Sequence, residues 1–307
     1  MPATASPAPP SPGVGVHVAL VAVQLSFGGF HVVAKAVLSH LDPLALVGIR
    51  VATATPLLLL LAWRHDRFLP RARDLPWLAL LGLLGVFGNQ VLYILGLERT
   101  HATSASVLMP SIPVFAVAVG AILGIERANP RRVLGVFLTV LGALVLLRPG
   151  ELLDAGSETL GNSLVLANCL SYATFLVVQR PLLQRVPWRT LIAWSFLFGG
   201  VGVLSVSART LAVVPWPAVP AAAWAGVAYI VFFPTVLSYS LATWAVKRSS
   251  PSLVAAYTTL QPFFATLLAM LFLHETPGWR DGLGFLLIVG GLAVISRRAT
   301  GAVRPRS

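Results

Sequence analysis

Several polar side chains recur at helical spacing inside runs that are otherwise apolar. Gln24, Phe27, His31 and Lys35 fall at i, i+3, i+7 and i+11, which is one face of a helix. Asn89 and Tyr93 lie four apart in FGNQVLYILG, with Gln90 beside them. Asn168, Ser171, Tyr172 and Phe175 make another stripe, VLSYSLATW supplies Ser238, Tyr239, Thr243 and Trp244, and Gln261 stands just before Pro262. Amides, hydroxyls and aromatic faces can hold a small polar molecule and release it again. The same groups also make the interhelical hydrogen bonds that fasten helices in lipid. Gln24, His31, Asn89, Tyr93, Asn168, Tyr172, Tyr239, Trp244 and Gln261 are therefore candidates for a substrate cavity, with interhelical bonding as the competing role.

Three charged residues stand apart. Arg50 is placed on the order of 10 Å into an apolar run, where a guanidinium needs a carboxylate, several carbonyls or a wet cavity. It either clamps the structure or holds an anionic group. Glu126 and Glu275 end two apolar runs; they can bond loop amides, pair with Arg131 and Arg280, or couple transport to protons. Catalytic patterns do not occur. HETPG is not a zinc-binding HExxH, GxSxG does not appear, and the histidines are scattered at 17, 31, 40, 65, 101 and 274. Neither Lys35 nor Lys247 follows a glycine, so no loop cradles phosphate, and Cys169 alone makes neither a disulfide nor a thiolate cluster. The expectation is a protein with no cofactor, no metal and no enzyme chemistry.

What positions these residues is a membrane. Of 307 residues 57% are apolar and 10% charged, against roughly a quarter charged in a soluble domain. A spanning helix needs about 20 apolar residues. Ten runs qualify or come close, near 14–38, 44–63, 75–97, 102–125, 131–147, 160–179, 190–207, 219–246, 251–273 and 279–296. Evenly apolar runs lack the alternation of barrel strands, so an all-α integral membrane protein is expected. MPATASPAPPSPG (1–13) reads as a disordered tail, and the long first run as a retained span rather than a cleaved signal.

The net charge of +12 would suggest nucleic acid in a soluble protein, but its distribution assigns it to topology. With an inner N-terminus, sixteen Arg and Lys residues fall on inner connections and four (Arg99, Arg148, Arg209 and Arg280) on outer ones. The positive-inside rule puts both termini in the cytoplasm.

The chain also repeats itself. PVFAVAVGAILGIE (113–126) is answered by PFFATLLAMLFLHE (262–275), and the offset of 149 positions continues through Arg131 and Arg280, Gly135 and Gly284, and Gly142 and Gly291. An offset of 145 aligns LSFGGFHVVAKAVL (25–38) with LSYATFLVVQRPLL (170–183). Two copies of a five-helix unit must enter the membrane from opposite sides, as inverted repeats do in secondary transporters. The expected division is a first repeat over 14–148, an external linker over 149–158, a second repeat over 159–298 and a basic cytoplasmic tail over 299–307. Gly120 and Gly124 are expected to form a small-residue packing seam.

Two five-helix halves, Arg50 early in the second helix, Pro110, Pro113 and Pro262 at the starts of the fourth and ninth, and a glutamate before a glycine-containing last helix in each half resemble the EamA-like branch of the drug/metabolite transporter superfamily. The position matching Arg50 in the second half is near Ser195, so this chain carries that arginine once. The resemblance implies a permease of the bacterial cytoplasmic membrane with a cavity between the halves. Amino-acid efflux by alternating access is the expected activity, and a lipid flippase or an intramembrane enzyme is the alternative. The expected partners are a small-molecule substrate and the bilayer, not nucleic acid.

Overall fold

A computed structural model describes residues 12–99, 108–126, 129–147, 159–261, 263–264, 267 and 279–296, with the side chains at 31, 32, 35, 146, 147, 280 and 281 outside the description. Among the described residues there is no strand. The helices are α1 (Val14–Leu38), α2 (Pro43–His65), α3 (Ala72–Glu98), α4 (Ser111–Ile122), α5 (Pro130–Leu147), α6 (Thr159–Leu182), α7 (Trp188–Val213), α8 (Ala221–Arg248), α9 opening with Pro251–Tyr257, and α10 (Trp279–Ser296). Five of them, α2, α3, α6, α7 and α8, are long and apolar enough to cross a membrane.

Proline sets several starts, since a first-turn residue needs no N–H donor. Pro43 follows Asp42, whose carboxylate accepts from the Leu44 amide at 2.8 Å. Pro251 follows Ser250, whose hydroxyl accepts from the Leu253 amide at 3.2 Å. The solvent logic of a soluble protein is reversed. Phe232, Leu83, Phe137 and Leu286 are exposed, whereas Gln24, Asn168, Gln179, Thr235 and Ser238 are buried. Apolar groups outside and polar groups inside are what lipid demands.

α3 and α8 share an irregularity. Each widens into a π-helical segment, Leu83–Gly88 in α3 and Val231–Leu237 in α8, and π segments inside α-helices occur frequently at functional sites. In α8 the cause is Pro234, which brings no N–H to the ladder. Side chains take over part of the bonding: Thr235 donates to the Ile230 carbonyl at 2.7 Å and Ser238 to the Phe233 carbonyl at 2.9 Å. In α3 the segment contains Gly85 and Gly88 and follows Gly82, which lets α6 and α7 approach the backbone.

The helices pack in matched pairs. α2 lies on α7, α4 on α9 and α5 on α10, while α3 packs against α6 and α7 as α8 packs against α1 and α2. α4 ends at Ile122, three residues before the expected end, and Gly124 turns the chain at φ 64° with nothing within 4 Å of where a Cβ would stand. The expected Gly120/Gly124 seam is therefore corrected. Gly124 is a left-handed helix terminator, and the Gly120 carbonyl closes the turn by accepting from the amides of Ile125 and Glu126 at 3.0 Å each.

Candidate functional site

Seven helices converge on one internal cavity. α1 contributes Gln24, Phe27 and Phe30, and α2 contributes Arg50. Asn89, Gln90 and Tyr93 enter from α3, directly after its π segment. Met109 and Ile112 line it from the start of α4, Asn168 and Tyr172 from α6, Tyr239 from α8, and Thr258 and Gln261 from α9.

Local geometry explains why these side chains meet. At the widened turn of α3, backbone carbonyls are taken up by neighbouring helices. Tyr239 Oη lies 3.1 Å from the Gly85 carbonyl and 2.8 Å from Asn89 Oδ1, so one hydroxyl proton serves two acceptors. Ser171 donates to the Leu84 carbonyl at 2.8 Å, and Asn168 Nδ2 to the Asn89 carbonyl at 2.5 Å. α6 and α8 are thereby stitched to α3 at the level of the cavity. Across it, Gln261 Nε2 donates to Gln24 Oε1 at 3.0 Å, joining α9 to α1. Below Tyr239 the aromatic rings of Tyr172, Phe175 and Phe196 gather, with the Phe196 ring edge-on to Tyr239 at 5.1 Å.

Of the nine cavity candidates read from the sequence, Gln24, Asn89, Tyr93, Asn168, Tyr172, Tyr239 and Gln261 line this space. Trp244 does not; its ring lies under the Arg248 guanidinium, 4.7 Å away. The His31 side chain and all of Glu275 lie outside the described residues. Arg50, read as a clamp or an anion holder, combines both placements. Its Nε donates to Thr235 Oγ1 in the π segment of α8, its guanidinium carbon stands 5.0 Å over the Phe30 ring, and it borders the cavity. Glu126 is away from the cavity. Its Oε2 accepts from the Ser252 amide at 3.3 Å and from the Ser252 hydroxyl, and Arg132 stands 3.6 Å away. Thr258, Phe30, Met109 and Ile112 were not singled out by the sequence. Thr258 could have been, since it precedes Gln261 by three and shares its helix face.

Tyr239→Phe keeps the ring contacts and deletes the hydroxyl, leaving Asn89 Oδ1 and the Gly85 carbonyl without that donor. The expected result is a loss of about 1–2 kcal/mol of stability, measured by thermal unfolding of the purified protein.

The family model of the EamA-like transporter family matches residues 14–148 and again 159–297. The chain belongs to the EamA-like transporter family. It is thus a multi-pass membrane protein of a transporter family, within the drug/metabolite transporter superfamily. It is 27% identical over 278 residues to an uncharacterized transporter of Archaeoglobus fulgidus, covering 90% of this chain and 95% of that one. It is 27% identical to the protein WALLS ARE THIN 1 of Arabidopsis thaliana, covering 90% of this chain and 81% of that one. A probable terminal-alkyne amino-acid exporter of Streptantibioticus cattleyicolor is 29% identical over 78% of each chain. A solved crystal structure shares the fold at a TM-score of 0.73 and 20% identity, covering 92% of this chain and 97% of that one.

Proposed function

We propose that this EamA-like protein is a secondary transporter that exports a small polar metabolite, foremost an amino acid, across the cytoplasmic membrane by alternating access. The cavity carries this reading. It is lined by helices of both repeats, and among the described residues its lining offers amide, hydroxyl and aromatic groups with one fixed charge. Such groups bind a small polar solute without holding it too tightly to release. The exporter among the relatives points to the same substrate class.

The ten-span inverted repeat over 14–148 and 159–298 belongs to the same proposal. In support, the family model matches twice, the π segments lie at corresponding places in α3 and α8, and α2, α4 and α5 each pack on their counterpart. The inner assignment of the basic connections is supported by their meeting one another. Asp66, just after α2, and Asp74, in the first turn of α3, bond Arg189 at 3.2 Å and Arg185 at 2.7 Å, which lie at the start of α7 and in the connection before it.

The cavity measures about 70 Å³, room for several waters at about 10–15 Å³ of such space each. Rocking of one half against the other would open this space to one side of the membrane at a time, as alternating access requires. Counterflow in proteoliposomes with a panel of labelled amino acids, run beside labelled lipid, tests the reading. Uptake of at least one amino acid is the expected outcome. Scrambling of lipid with no amino-acid counterflow would replace export with flipping.

A further inference from the structure

Arg50 is a buried cation with no counter-charge among the described residues. Only 6% of the residue is exposed, yet among the described residues no carboxylate lies within ion-pair distance of it. Its one hydrogen bond among those residues uses Nε, to Thr235, which leaves the paired N–H groups of the terminal nitrogens unspent. A guanidinium cannot shed its proton in a protein, and a buried charge is costly unless paired and hydrogen-bonded. The Phe30 face, 5.0 Å from the guanidinium carbon, offsets part of that cost without supplying an anion.

A second, independent observation lies on the same wall. Gln90 is 3% exposed and lines the cavity; its Oε1 and Nε2 complete no hydrogen bond of good geometry among the described residues, and the Tyr239 hydroxyl beside the amide is already given to Asn89 and Gly85. A buried primary amide left with so little of its bonding satisfied marks a place where a ligand or water completes it. Among the described residues no aspartate or glutamate lines the cavity, and the one fixed charge there is the positive charge of Arg50.

We propose that Arg50 and Gln90 form a carboxylate seat, and that the transporter selects substrates bearing a carboxylate, zwitterionic or anionic, against cations that lack one. The proposal rests on the reading of the cavity as the transport site and narrows its substrate class. With Nε held by Thr235, the two terminal nitrogens present the end-on fork that matches two carboxylate oxygens. The Gln90 amide adds a donor to the same cavity. An ammonium group on the same substrate would meet the aromatic faces and the amide carbonyls of the opposite wall. Cations without an acid group would face Arg50 with nothing to balance it.

The test is thermal stabilisation of the purified full chain by three matched series: the common amino acids, their carboxamides, and the corresponding carboxylic acids lacking the amino group. Wild-type protein is expected to be stabilised by at least one acid and not by its carboxamide. Arg50→Gln should weaken that binding roughly 10- to 100-fold, the range for one charge-assisted contact. Arg50→Lys, which keeps the charge and loses the fork, should fall between. The ligand-free Arg50→Gln protein loses the Thr235 bond and the Phe30 contact but also a buried charge without a counter-ion, so its unfolding should lie close to wild type; marked destabilisation with acid binding unchanged would make Arg50 a structural clamp alone and overturn the seat. Carboxamides binding as well as acids, or Arg50→Gln binding acids unchanged, would overturn the seat and leave amino-acid export standing. Acids binding through Arg50 only when they lack the amino group would do the reverse. Stabilisation by none of the carboxylates would overturn both.

Discussion

Replacing Glu126 with alanine opens the end of the molecule where α4 stops and α9 begins, and exposes Cys169 to a water-soluble thiol reagent. Glu126 Oε2 is the acceptor for both the amide and the hydroxyl of Ser252, a residue with no exposed surface, and it faces Arg132 at 3.6 Å. Arg180 belongs to the same cluster: its Nη1 donates to the Ser249 carbonyl, and it lies within electrostatic range of Glu126. Four chain segments are therefore tied together by one carboxylate: the turn after α4, the start of α5, the end of α6, and the α8 to α9 connection. Removing it strands two buried donors at about 1–3 kcal/mol each, enough to raise the population of an opened state by one to several powers of ten. Cys169 reports the opening without engineering. It is the only cysteine, it is fully buried with its thiol 3.5 Å from the Leu108 carbonyl, and it adjoins the cavity residue Asn168.

Wild-type protein should label slowly and Glu126→Ala at least ten times faster. Glu126→Gln keeps an acceptor for Ser252 and should fall between them. Ser252→Ala, which leaves the carboxylate facing Arg132, should label faster than wild type and slower than Glu126→Ala. Each variant is first required to give the wild-type elution profile on size exclusion, so that labelling reports opening and not collapse. Equal rates across the set would mean that this cluster does not close the protein.

The sequence disclosed the cavity better than it disclosed the end cluster, and the reason is geometric. Gln24, Asn89, Asn168, Tyr172 and Tyr239 are polar residues in mid-run, where an apolar neighbour makes each conspicuous, and helical spacing orients them. Glu126 was visible as a helix-end charge, but its partner Ser252 is 126 positions away in the first turn of α9. The π segments were invisible to a period of 3.6, although Pro234 and the run of glycines at 82, 85 and 88 carry their cause. Trp244 illustrates the opposite error. It was grouped with Tyr239 because both stand in VLSYSLATW, yet five residues of helix turn it to a different neighbour, Arg248. Gly124 misled for a similar reason: its spacing from Gly120 fits a packing seam, but the helix has already ended at Ile122.

The glycines of α5 and α10 give the sharpest stability prediction, because two adjacent residues should behave in opposite ways. A Cβ at Gly291 would stand 2.6 Å from the Gly135 carbonyl oxygen and 2.8 Å from the Thr139 amide nitrogen, backbone atoms that no rotamer change can move. A Cβ at Gly290 meets nothing within 4 Å. Gly291→Leu should force the two helices apart and destabilise by about 3 kcal/mol, the upper part of the range for overpacking, whereas Gly290→Leu should unfold with wild type. Gly142 is the counterpart of Gly291 at the repeat offset, and its Cβ would stand 2.6 Å from the Gly284 carbonyl oxygen and 2.9 Å from the Ile288 amide nitrogen. Gly142→Leu should therefore cost about as much as Gly291→Leu. Since both substitutions pry open one seam, the double variant should cost less than the sum of the two. Thermal unfolding of the four purified variants measures all of this. Should Gly291→Leu match wild type, or Gly290→Leu prove the more damaging, the close helix contact would not be what holds α10 in place.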